Sequence, residues 1–73
     1  MAVNISEAAI KRQFGAKLRQ LRKEKGLSQE EVALEAGLDL TSVNEIEMGR
    51  RNPTLITINK LSRALGVKPS LLI

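Results

Sequence analysis

The sequence contains no cysteine, no histidine, no tryptophan and no tyrosine, and Phe14 is its single aromatic residue. Without thiolate or imidazole groups, the chain lacks the usual ligands of zinc, haem and iron–sulfur clusters and the commonest general base of enzymes. A core built from Leu, Ile, Val and Ala, with almost no aromatic residues, favours helices over strands. These absences predict an all-α protein that uses no metal and no cofactor.

Long apolar runs are also missing. No stretch approaches the roughly 18 apolar residues of a membrane span, and residues 1–4 lack the basic and apolar segments of a secretion signal. The 73 residues suffice for one domain with one core. No nucleophile–base pair and no domain large enough for a substrate pocket is visible. The sequence therefore predicts a cytoplasmic protein that is not an enzyme and has no membrane partner.

The charged residues are unevenly distributed along the chain, whose net charge is +4. Between Lys11 and Lys25 there are seven basic residues and one acid, whereas residues 28–48 contain six acids and no base. Basic residues return from Arg50 onward. A positive net charge permits a polyanionic partner such as nucleic acid. The acidic centre opposes the simplest form of that idea, in which one strongly basic helix contacts DNA.

The first half of the sequence predicts two helices. An apolar pattern with steps of four, four and three residues indicates a helix with one buried face, formed by Ile10, Phe14, Leu18 and Leu21. Residues 1–9 before it are predicted to form a flexible arm or an extra turn. Ser28 and Glu31 have the spacing of a capping box, which begins a second helix that Gly37 ends.

Three further helices are predicted in the second half. Asp39 is suited to cap a third helix over about residues 40–48. Thr54 is suited to cap a fourth helix that ends at Gly66. The predicted inner face of this fourth helix consists of Leu55, Ile58, Leu61 and Leu65. Pro69 fits the first turn of a short fifth helix. The sequence thus predicts a compact five-helix bundle.

Residues 28–48 have the anatomy of a helix-turn-helix: a short capped helix, a glycine turn and a second helix with an apolar inner edge. One α-helix fits the major groove of DNA while the preceding helix braces it across the backbone. On this stretch alone, a helical hairpin that never contacts DNA is an equally good interpretation.

A set of segments longer than this motif carries a family resemblance. The segments are LRQLR at 18–22, KGLSQEEVA at 25–33, AGL at 36–38, IEMGRRNP at 46–53 and LSRALGV at 61–67. In order and spacing they resemble the phage repressor and Cro family. The resemblance implies a lambda-repressor-like DNA-binding domain over residues 10–73, with a recognition helix at about 40–48. Within the family, the length and the RRNP loop look like the controller proteins of restriction–modification systems, followed by phage or plasmid repressors.

The resemblance also implies roles for single residues. Contacts with base edges would come from Leu40, Thr41, Ser42 and Glu45. Leu40 can pack on a thymine methyl group and Glu45 can accept a hydrogen bond from cytosine. Contacts with backbone phosphates would come from Ser28, Gln29, Arg50, Arg51 and Asn52. For the base-reading residues, a solvated helix face is the alternative interpretation.

Arg22 and Glu47 match a buried ion pair of the family, which fixes the angle between the first helix and the recognition helix. The family also implies a homodimer, because one such domain covers one half-site and two half-sites lie about 34 Å apart. The predicted dimer interface consists of Ile56, Leu71, Leu72 and Ile73. The alternative is that the fifth helix covers the core of its own domain and that Ile56 is a single exposed apolar residue.

The predicted function is that of a transcriptional regulator that binds a palindromic operator in double-stranded DNA. The alternative is an antitoxin-like or protein-interaction module with the same fold, which the acidic motif favours. Whether the regulator would activate or repress stays open. Its acidic residues can face RNA polymerase or simply be solvated: Glu30, Glu31, Glu35 and Asp39.

Overall fold

The computed structural model describes residues 5–73, and this part of the chain forms four α-helices and a short 3₁₀ turn. The helices are α1 (Glu7–Glu24), α2 (Gln29–Ala36), α3 (Leu40–Glu47) and α4 (Leu55–Leu65), followed by the 3₁₀ turn Pro69–Leu71. The all-helical prediction agrees with this architecture. The predicted five-helix count is not confirmed, because the segment after Pro69 makes only one turn of 3₁₀ helix in place of a fifth α-helix.

Each helix begins where a side chain can accept a hydrogen bond from an unpaired backbone N–H. Ser6 accepts from Ala9, and Thr54 accepts from Thr57. Because of the Ser6 cap, α1 begins three residues before Ile10, and residues 7–9 form its first turn. Residues 1–4 of the predicted arm lie outside the described residues.

One hydrophobic core joins all the elements. Helix α1 packs against α3, α2 packs against α3 and α4, and α4 packs against the 3₁₀ turn. The buried apolar side chains are Phe14, Leu18, Val32, Ala33, Ala36, Val43, Ile46, Leu61, Leu65 and Leu72. Burial of each large aliphatic side chain stabilises the domain by about 2 kcal/mol relative to exposure.

Two residues of the predicted apolar faces lie outside this core. Ile10 is half exposed, and Leu55 is 76% exposed. Both residues lie in the N-terminal part of their helices, where no described element covers them. The helical spacing therefore gave the direction of each apolar face correctly but could not show how far along the helix the neighbouring elements reach. None of the described helices is long and apolar enough to span a membrane.

Candidate nucleic-acid interface

The turn between α2 and α3 sets the direction in which α3 leaves the core. Gly37 ends α2 with a φ of 69°, a left-handed conformation that glycine adopts without steric cost. The N–H of Leu38 donates to the carbonyl oxygen of Ala33 at 2.8 Å, which closes the last turn of α2. Only Gly37 and Leu38 separate α2 from the Asp39 cap, so α2 and α3 have little freedom to change their angle.

Asp39 caps α3 with both of its carboxylate oxygens. Its Oδ2 accepts from the backbone N–H of Ser42 at 3.2 Å, and its Oδ1 accepts from the Ser42 hydroxyl at 2.6 Å. These hydrogen bonds, that of the hydroxyl above all, hold the pKa of Asp39 below its ordinary value. The cap therefore carries a negative charge at neutral pH. This charge interacts favourably with the positive end of the helix dipole.

The C-terminal end of α3 contacts the backbone of α1 at Gly15. A Cβ atom at this position would overlap the carbonyl oxygens of Ile46 and Glu47. The two helices approach this closely only because residue 15 has no side chain. Gly15 was not among the predicted site residues, although an isolated glycine inside a helical pattern often marks such a packing contact.

Arg22 and Glu47 are brought together between α1 and α3. Arg22 Nε donates to Glu47 Oε2 at 2.6 Å, and Arg22 Nη2 donates to Glu47 Oε1 at 3.0 Å. Nη1 of Arg22 donates to the carbonyl oxygen of Leu27 at 2.8 Å. Hydrogen bonding to Glu47 raises the pKa of Arg22 despite the opposing effect of burial. Both side chains are buried. Their pairing and hydrogen bonds offset the free energy that the two charges lose when they leave water.

Gln29 extends this network from α2 to α3. Its Nε2 donates to Glu47 Oε1 at 3.0 Å, and its Oε1 accepts from Asn44 Nδ2 at 3.3 Å. The predicted phosphate contact of Gln29 can therefore use only the second N–H of its amide group, since the first is bonded to Glu47. Asn44 was not among the predicted site residues, because its role depends on the packing of α2 and not on any local pattern.

Ser28 is occupied by its capping box. Its hydroxyl accepts from the N–H of Glu31 at 3.0 Å, and its own N–H donates to Glu31 Oε1 at 2.9 Å. Hydrogen bonding from Ser28 to the Glu31 carboxylate lowers the pKa of Glu31, and the bond from the Ser28 backbone N–H contributes most. Because Ser28 is exposed, its hydroxyl can rotate to donate to an external group.

The predicted base-reading residues of α3 do not all face outward. Leu40 and Thr41 are exposed, and Glu45 is half-buried. Ser42 is only 8% exposed, and its hydroxyl is bonded to Asp39 and Arg51. In this arrangement the Ser42 side chain presents no free group at the surface, because helical geometry rotates it toward the core side of α3.

The two arginines after α3 differ in their surroundings. Arg51 donates through Nη1 to Ser42 Oγ at 2.6 Å and through Nη2 to Glu45 Oε1 at 2.5 Å. Arg50 is exposed, and its guanidinium makes no hydrogen bond with any described residue. Asn52 is also exposed. The acidic character of α3 is therefore partly neutralised by Arg51, which the sequence could not show.

The apolar residues of the predicted dimer interface separate into two groups. Ile56 is 66% exposed and Ile73 is 76% exposed, and Leu71 is half exposed. Leu72 is only 4% exposed and belongs to the core of its own domain, so its side chain is not available to a second copy. Leu71 and Ile73 line an apolar groove of about 450 Å³ together with Ile10, Phe14 and Ile58.

Three comparisons place this geometry among known proteins. The family model described as helix-turn-helix matches residues 18–72. The chain is 45% identical to an uncharacterised HTH-type transcriptional regulator, y4dJ, of Sinorhizobium fredii over 58 residues, which cover 80% of this chain and 75% of that protein. It is 49% identical to the control protein C.BamHI of Bacillus amyloliquefaciens over 57 residues, which cover 77% and 70%.

Among solved structures, the restriction–modification controller protein C.AhdI of Aeromonas hydrophila superposes with a TM-score of 0.85 and 46% sequence identity. The match covers 86% of this chain and 96% of C.AhdI. The family match over residues 18–72 includes α2, α3 and both residues of the buried Arg22–Glu47 pair. The chain belongs to the helix-turn-helix family of transcriptional regulators.

Proposed function

We propose that this protein binds a palindromic operator in double-stranded DNA as a homodimer and controls transcription of a restriction–modification system. The observation that carries the proposal is that packing and hydrogen bonds fix α3 against the rest of the domain. Its inner side is fixed by Gly15, the Arg22–Glu47 pair and the Gln29 bridge, whereas Leu40 and Thr41 on its outer side are exposed. A helix held in this way can enter the major groove without a loss of order in the protein.

The two ends of the helix-turn-helix supply the contacts with the DNA backbone in this proposal. At one end, the first turn of α2 offers unpaired N–H groups, the Ser28 hydroxyl proton and the second N–H of the Gln29 amide. At the other end, Arg50 and Asn52 are exposed just after α3. Such contacts place the recognition helix along the duplex, and Leu40, Thr41 and Glu45 would then face the bases.

The role as a controller is supported by two relatives. C.BamHI is a control protein, and C.AhdI is a restriction–modification controller protein. C.BamHI is 49% identical to this chain, and C.AhdI is 46% identical to it. An antitoxin-like or protein-interaction role is the outcome that the binding experiment below would reveal if DNA binding failed.

Operator binding is expected to show a steep dependence on salt. Each phosphate contact releases about one counterion, so a dimer with six phosphate contacts should lose roughly a thousandfold in affinity between about 50 and 200 mM salt. Mobility-shift titrations at these two salt concentrations, with DNA from upstream of the protein's own reading frame and with an unrelated duplex, test this. An absence of any shift with either DNA would contradict the proposal and favour the protein-interaction role.

Dimer formation is expected to depend on Ile56. Replacement of this exposed apolar residue by glutamate places a charge, and its symmetry mate, in the proposed two-fold interface. Sedimentation should show a dimer for the wild-type protein at micromolar concentration and a monomer for Ile56→Glu. Leu34→Glu is the matched control, since Leu34 is also an exposed apolar residue but lies on α2. A monomeric wild type, or equal effects of both substitutions, would exclude this interface.

A further inference from the structure

We infer that Arg51 reads a guanine base in the operator and that Glu45 and Ser42 hold its guanidinium in position for this contact. The inference rests on the proposed function, because it requires α3 to lie in the major groove. It changes the role that the family resemblance implied for Arg51, which was a contact with a backbone phosphate.

The position of the Arg51 guanidinium carries this assignment. Although Arg51 lies in the loop after α3, its side chain turns back over that helix and bonds to Ser42 Oγ at 2.6 Å and to Glu45 Oε1 at 2.5 Å. Glu45 is one of the residues expected to face the bases. The charged end of Arg51 therefore lies against α3 beside Glu45 and does not extend freely from the loop.

The hydrogen-bonding capacity of Arg51 is only partly used. A guanidinium has five N–H donors, of which Ser42 and Glu45 occupy two, so three are left. Guanine presents O6 and N7 side by side in the major groove, and a bidentate arginine is the commonest specific contact with this pair. The side chains of Arg51 and Glu45 are 45% and 36% exposed, so the remaining donors can reach a ligand.

The bonds that Arg51 makes with Glu45 and Ser42 should contribute more to DNA binding than to the stability of the fold. An exposed ion pair contributes little to stability. A long side chain that is already held in one geometry, however, loses less conformational entropy when it binds. Ser42 is itself fixed, because its hydroxyl donates to Asp39 Oδ1 at 2.6 Å while it accepts from Arg51. The N-cap of α3 thus positions the guanidinium through two successive hydrogen bonds.

Arg50 provides a natural comparison within the same loop. Its backbone N–H donates to the carbonyl oxygen of Glu45 at 2.9 Å, which closes the end of α3, but its exposed guanidinium bonds to none of the described residues. Arg50 is therefore the better candidate for a phosphate contact. The two neighbouring arginines should affect DNA binding in different ways.

Selection of bound sequences from random double-stranded DNA, followed by affinity measurements, tests this difference. For Arg51→Ala we expect the preference for guanine at one position of each half-site to fall by roughly tenfold to a hundredfold, with the other positions unchanged. For Arg50→Ala we expect the same selected sequence as for the wild type, a uniform loss of affinity, and a salt slope reduced by about two for the dimer. Thermal melts should show that both variants fold, since both side chains are exposed.

Glu45→Gln tests the positioning role separately. The amide keeps a hydrogen-bond acceptor but loses the charge, so preference at the Arg51 position should weaken by a smaller factor than in Arg51→Ala. In the Arg51→Ala background, Glu45→Gln should then cause no further loss of discrimination. If Glu45 instead contacted a cytosine directly, its substitution would still reduce discrimination in that background, which would overturn the positioning role.

The outcomes separate this inference from the proposed function. If Arg51→Ala keeps the wild-type sequence preference and weakens binding to all DNA equally, Arg51 is a phosphate contact, and the inference fails while operator binding stands. If the wild-type protein selects no sequence at all, the proposed function fails, and the role of Arg51 fails with it.

Discussion

Glu47→Ala is expected to remove most of the free energy of unfolding, so that the protein melts far below the wild-type temperature. The substitution leaves the Arg22 guanidinium buried beside α3 with no counter-charge, and it also removes the acceptor of the Gln29 amide. Loss of one partner of a buried ion pair costs about 3–5 kcal/mol. A domain of this size has a total stability of only about 5 kcal/mol. Thermal and urea melts measure the effect, with the helical signal followed by circular dichroism at about 222 nm.

A double variant shows that the cost comes from the unpaired charge. Arg22→Met combined with Glu47→Leu replaces both charges by apolar side chains, so the double variant should be more stable than either single substitution. Glu30→Ala is the surface control, because Glu30 is exposed on α2, and its effect should be within about 0.5 kcal/mol. A Glu47→Ala protein that melts like the wild type would show that the pair does not brace the helices.

The ends of α2, α3 and α4 could be predicted from the sequence, because they depend on local chemistry. The capping box of Ser28 and Glu31 lies where the sequence placed it, and so does the left-handed Gly37. Asp39 and Thr54 cap α3 and α4 as expected. Each of these features involves residues within a few positions of one another, so their spacing alone contains the information.

The extent of burial could not be predicted in the same way. Periodicity identifies the apolar face of a helix, but Leu55 shows that a residue on that face can be left uncovered. Leu72 shows the reverse, since a residue near the chain end fills the core of its own domain. Both outcomes depend on where other elements end in space, which no local pattern encodes.

The side-chain contacts within the candidate site could be predicted only in part. The sequence indicated that α3 is acidic, which made direct contact with DNA costly. The structure shows that Arg51 folds back onto Glu45 and that Gln29 bonds to Asn44. These pairs join side chains across a loop or between two helices, so they require the three-dimensional packing. The Arg22–Glu47 pair was expected from the family resemblance, whereas the partners of Arg51 and Gln29 were not.

Gly15→Ala is expected to destabilise the protein by about 3 kcal/mol, the upper range for overpacking of a core contact. Helix propensity alone predicts the opposite, since alanine is favoured over glycine by about 1 kcal/mol inside a helix. At this position the added methyl group overlaps the carbonyl oxygens of Ile46 and Glu47, which belong to backbone and cannot rotate away. To relieve the overlap, α1 and α3 must move apart.

The adjacent residue provides the matched control. Ala16 is exposed in the same turn of α1, so Ala16→Gly measures helix propensity without the contact and should cost about 1 kcal/mol. If propensity governed both positions, Gly15→Ala would raise the melting temperature by as much as Ala16→Gly lowers it. A Gly15→Ala protein more stable than the wild type would therefore refute the close approach of the two helices.

The same displacement should also affect DNA binding. Separation of α1 from α3 would lengthen the Arg22–Glu47 bonds and tilt the recognition helix, whose inner side is fixed at these two points. At a temperature where Gly15→Ala is still folded, operator affinity should fall more than affinity for unrelated DNA, because base contacts depend on the helix angle more strictly than phosphate contacts do. An equal loss for both DNAs would mean that Gly15 serves stability alone.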